Sequence, residues 1–105
     1  GSSLLVSTFQ ACDLYGVDFS GGTLMRVKFG TAKGQNAELS NTRFEGALLM
    51  DVNLRGANLF RASFRNACLV RVNLRDANLV EADFSGAVLL ENDFTLADLD
   101  RAKLP

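Results

Sequence analysis

Ala57-Asn58-Leu59-Phe60-Arg61-Ala62-Ser63-Phe64-Arg65-Asn66-Ala67-Cys68-Leu69 carries a bulky apolar residue at 59, 64 and 69, and an alanine two places before each. The same beat runs outward in both directions. Leucine or phenylalanine falls on every fifth residue from Leu4 to Leu104, with one miss, at Gly34, in 21 positions. The slot two places earlier is alanine in most repeats and valine at Val17, Val27, Val52 and Val72. A period of five is neither the 3.6 of an α-helix nor the 2 of an extended strand. The chain must therefore turn once per repeat, with the bulky centre and the small residue facing in and the other three facing out. A unit this short cannot bury its own apolar face, so many units have to stack to make a core.

Ala57-Asn58-Leu59-Phe60-Arg61, Ala77-Asn78-Leu79-Val80-Glu81 and Ala97-Asp98-Leu99-Asp100-Arg101 resemble the alanine, asparagine or aspartate, leucine signature of the pentapeptide-repeat family. The resemblance covers essentially the whole chain. It implies an all-β fold, a right-handed quadrilateral parallel β-helix in which four repeats make one coil of 20 residues and each repeat forms one side. About five coils then fit. At roughly 4.8 Å per strand they would build a straight four-faced rod on the order of 25 Å long.

With 105 residues, 48% of them hydrophobic, the chain can bury one continuous core without a second folding unit. Gly1, Ser2 and Ser3 precede the repeat and are compatible with a cloning remnant, which leaves 4–105 as the solenoid. The beat is still running at the last residue, and neither end shows a dedicated cap. Because solenoid ends expose strand edges and apolar layers, we expect either a piece excised from a longer repeat protein or end-to-end association. The sequence shows no apolar run long enough for a transmembrane helix. The two cysteines do not read as a framework: Cys12 occupies an inward slot and Cys68 an outward one almost three coils away, so reduced thiols are expected. That weakly favours a cytoplasmic setting.

Composition speaks against catalysis. There is no histidine, which excludes a histidine base, a Ser-His-Asp or Cys-His couple and an imidazole metal site. Two distant cysteines cannot form a zinc knuckle, and no phosphate-cradling loop follows Gly21-Gly22. Asp83, Asp93 and Asp98 are the carboxylates to weigh as an acid/base pair. Each stands just before a centre, where a side chain that bonds nearby amides suits a tight turn, and the turn reading is preferred. We expect no enzyme activity, no cofactor and no metal.

Two inward slots break the pattern. Gly34 in place of a bulky centre predicts a bent or locally irregular coil, with a ligand cavity as the alternative. Asn92 in a small apolar slot has to find hydrogen-bond partners if buried, and carbonyls of an adjacent coil are expected to supply them.

Function must then lie on the outer faces, read by adding 20 to step from coil to coil. Asp51, Arg71 and Glu91 alternate in sign on one stripe, and Arg61, Glu81 and Arg101 on another, as cross-coil ion-pair ladders. Arg55 over Arg75 reads as two unpaired guanidiniums side by side, a candidate contact for an anion or a partner's carboxylate. The third stripe is the strongest. Leu48, Met50, Cys68, Val70, Val88 and Leu90 point outward on three consecutive coils, a contiguous apolar patch of the kind that marks an interface; Phe60 and Val80 make a smaller pair on the opposite side. The sequence predicts a non-catalytic interaction or scaffold module that presents this side to a protein partner or to a copy of itself, side-on or end-to-end.

Charge suggests the alternative. From Arg26 to Arg75 there are nine basic and three acidic residues, whereas Asp76 to Asp100 holds seven acids and no lysine or arginine, within a net charge of −1. The resemblance includes DNA-mimicking proteins that bind and protect DNA gyrase, and an acidic end fits that use while the basic waist interrupts it. Direct nucleic-acid binding is disfavoured by the mildly acidic whole and the lack of aromatic residues outside the core.

Overall fold

A computed structural model describes residues 3–5, 8–9, 18–25, 28–29 and 37–105. Among them the only regular structure is short parallel strand: β1 (Ser3–Leu5), β2 (Thr8–Phe9), β3 (Thr23–Met25), β4 (Lys28–Phe29), β5 (Leu48–Met50), β6 (Cys68–Val70) and β7 (Val88–Leu90). The strands β1, β3, β5, β6 and β7 pair in that order into one five-stranded parallel sheet, and β2 pairs with β4. The remaining walls are held by isolated parallel bridges such as Asn53↔Asn73, Asn58↔Asn78 and Ser63↔Asp83. This is the expected parallel β-helix of five coils. Its extents, 32 × 29 × 26 Å, make it a stubby block rather than an elongated rod.

The five-residue beat works because the corner sits at one fixed slot. Two places after nearly every described centre the backbone φ is positive, from Asn41 (59°) and Gly46 (68°) through Asp76 (59°) to Arg101 (59°). On three of the four sides the carbonyl of the centre accepts the amide three residues on, as in Ala57 N to Leu54 O at 3.0 Å and Ala62 N to Leu59 O at 2.9 Å. A four-residue turn with a left-handed third residue is what glycine and asparagine favour. The residue before the centre supports the same corner. Asn53, Asn58, Asn73, Asn78, Asp83, Asp93 and Asp98 each accept the backbone amide two residues on, at 2.9 to 3.2 Å.

Every fifth residue closes the core. Leu39, Leu49, Leu54, Leu59, Leu69, Leu74 and Leu79 are fully buried, with the small slot from Ala37 to Ala87 filled by alanine or valine except at the buried Thr42. One inner wall is aromatic: Phe19, Phe44, Phe64 and Phe84 stack face to face with centroids 5.2, 4.9 and 4.7 Å apart. In the last coil Leu89, Phe94 and Leu99 are only partly buried and Leu104 is 60% exposed.

The constant step of 20 fails once. Leu24 pairs with Leu49, Asp18 with Arg43, and Phe19 stacks on Phe44, each a step of 25, whereas Leu4↔Leu24 and every described step from residue 38 onward is 20. The coil between β3 and β5 thus holds one five-residue unit more than the others. The irregularity expected from Gly34 falls in this coil, but Gly34 itself lies outside the described residues, as does Cys12.

Asn92 behaves as the sequence predicts. Its Oδ1 accepts Val72 N at 2.8 Å and its Nδ2 donates to Leu69 O at 3.1 Å, both in the preceding coil. On the side of β6 the corner forms no turn bond from Val72 to Leu69, and the asparagine amide bridges the two groups instead.

Candidate interaction face

The five-stranded sheet brings the predicted apolar residues together. Its register sets Leu48, Cys68 and Val88 in one column and Met50, Val70 and Leu90 in the next, while Leu49, Leu69 and Leu89 between them face the core. Val88 and Leu90 are 51% and 52% exposed, and the other four are half-buried. The 25-residue step extends the columns by Thr23 and Met25, which pair with Leu48 and Met50. Sequence reasoning missed both, because a uniform step placed Lys28 and Gly30 there; the break at Gly34 was the available signal. This is also the wall on which the chain stays extended for three residues in every coil, since no turn bond follows the centres of β5 and β6.

The two margins of the face differ. Along one, Arg71 donates from Nε and Nη2 to the two carboxylate oxygens of Asp51, at 2.8 and 3.3 Å, and reaches Glu91 at 4.0 Å. Hydrogen bonding to Asp51, then its charge, hold the Arg71 guanidinium above its ordinary value. The other margin runs over the corners Gly46, Asn66 and Gly86, all exposed and all with positive φ. Gly86 lies so close to Asn66 that a Cβ on it would stand 2.3 Å from the asparagine Oδ1. On the opposite wall Phe60 and Val80 are half-buried, and the Arg61 guanidinium lies 5.1 Å from the Phe60 ring centroid.

The charged surface departs from expectation. Arg55 and Arg75 are not an unpaired couple: Arg55 pairs with Asp76 at 3.5 Å and Arg75 with Asp93 at 3.2 Å. The anion contact predicted for them loses its premise. Arg61 pairs with Glu81 at 3.5 Å and Arg65 meets Asp83 at 4.0 Å, so each arginine from Arg55 to Arg75 is matched by a carboxylate in a neighbouring coil. Among the described residues Arg101 forms no ion pair, and that ladder stops at Glu81. Five of the seven acids from Asp76 to Asp100 thus meet arginines of neighbouring coils, while Asp98 and Asp100 form no ion pair among the described residues.

Asp83 and Asp93 serve corners. The hydroxyl of Ser85 and then its amide hold the Asp83 carboxyl below the usual range, offset in part by desolvation, and the hydroxyl and amide of Thr95 do the same for Asp93. Glu38 is lowered chiefly by the Ser40 hydroxyl and also accepts Asn58 Nδ2 at 2.9 Å. Among the described residues no three histidine, cysteine or acidic side chains cluster in a way that could hold a metal ion. Among the described residues no helix is long and apolar enough to cross a membrane.

A four-sided parallel solenoid with a five-residue unit, an alanine-leucine interior and a left-handed corner in each repeat defines a repeat protein of the β-helix class. Eight copies of the pentapeptide-repeat model match residues 35–66 and 67–104, more than half of the sequence, and the chain belongs to the pentapeptide-repeat family. A short second match, to the SecD/SecF GG motif, covers residues 15–33 alone. No curated protein matches in sequence.

Solved structures agree on the right-handed β-helix. The pentapeptide repeat protein Rfr23 from the cyanobacterium Cyanothece 51142 superposes with a TM-score of 0.89 at 21% identity, covering 100% of this chain and 82% of that one. A pentapeptide repeat protein from the Arabidopsis thaliana thylakoid lumen gives 0.65 at 28% identity, with 91% and 69% covered. QnrB1, a plasmid-mediated fluoroquinolone resistance protein, gives 0.56 at 20% identity, with 95% and 62% covered. At 20–21% identity Rfr23 and QnrB1 speak to fold alone.

Proposed function

We propose that this protein is a non-catalytic interaction module whose working surface is the apolar wall of the β-helix, presented to a protein partner or to a second copy. The observation that carries the reading is the pair of outward columns, Met25-Met50-Val70-Leu90 and Leu48-Cys68-Val88, on a fold whose other walls display mostly amides, hydroxyls and charges, with Phe60 and Val80 a smaller apolar pair opposite. Apolar side chains kept at register positions where the fold needs none have a use in contact.

Val70→Asp with Leu90→Asp tests the reading, because both positions point outward and the core beneath is untouched. Molar mass by light scattering and recovery of bound partners, at low and at high salt, are expected to show association that resists salt in the parent and disappears in the variant. Association unchanged by the two aspartates would overturn the proposal.

The second reading, a DNA-mimicking modulator or protector of DNA gyrase, is favoured by one observation, the seven acids without a base from Asp76 to Asp100. Against it, five arginines neutralise carboxylates across the coils. Binding to gyrase that fell steeply with salt, as exposed charge pairs do, would support this reading over the first.

A further inference from the structure

We draw no further inference here: the strongest candidate, the outward apolar patch on the wall formed by β3, β5, β6 and β7, belongs to the surface already described, and nothing in the structure shows what covers it.

Discussion

Single slots show how tightly the repeat constrains a residue. Leu96 occupies the left-handed corner at φ 60° and is 78% exposed, so it combines an unfavourable backbone with an apolar side chain in water. A branched residue there costs about 1 kcal/mol relative to one that tolerates positive φ. Leu96→Asn is expected to stabilise the fold by about 0.5–1 kcal/mol, read as a rise of roughly 2–6 °C in melting temperature for a domain of this size. Asn92→Ala should do the reverse. Removing the bridge leaves the Val72 amide and the Leu69 carbonyl without the partner they have now, a loss of about 1–3 kcal/mol by urea denaturation. The need for a partner at 92 was legible in the sequence. The corner slot was not recognised, although glycine, asparagine or aspartate at 21, 41, 46, 51, 56, 66, 76 and 86 was the mark of it. Arginine, glutamate and leucine share that slot and blur the pattern, because stacking overrides local preference.

Walls and corners are the elements of this fold, and each has its own energetics. Stacked Phe44, Phe64 and Phe84 are fully buried, so Phe64→Ala should cost about 3–5 kcal/mol in equilibrium unfolding, with the damage spreading to both neighbouring coils. The acidic corners make stability depend on pH. Asp83 and Asp93 have carboxyls lowered by the folded state, so their contribution is present above the unfolded-chain value and is lost as pH falls through the folded one. Stability is therefore expected to fall below about pH 4. Asp83→Asn with Asp93→Asn, which keeps an acceptor at each corner, should shift the acid midpoint of a circular dichroism titration downward. The turn role of these residues could be read from their place before the centre. The vertical ion pairs Arg71 with Asp51 and Glu91, and Arg61 with Glu81, could be read as well, but the diagonal ones could not. An arginine is long enough to lean into the next column, which is why Arg55 meets Asp76 and Arg75 meets Asp93, at offsets that vertical reading passes over.

At the scale of the whole molecule, the beat of five predicted a stacked repeat that turns once per unit, the family resemblance supplied the five-coil parallel β-helix, and the two together named six outward residues of the apolar wall, because inward and outward facing follow from slot. The charge segregation seen along the chain is bridged across coils, since each arginine from Arg55 to Arg75 meets a carboxylate of a neighbouring coil. These exposed pairs contribute little individually. Association through the apolar wall should accordingly persist in high salt, and its disappearance there would count against the proposed function. What the sequence hid most completely was the 25-residue coil. Its excess equals one repeat, so the chain rejoins the stack in phase and every later repeat centre still faces inward. Length changes in whole repeats are thus silent to everything downstream, whereas a gain or loss of one or two residues would have to be absorbed before the next corner. Among relatives, insertions and deletions should come in steps of five, and co-varying pairs should sit 25 apart across this coil and 20 apart beyond it.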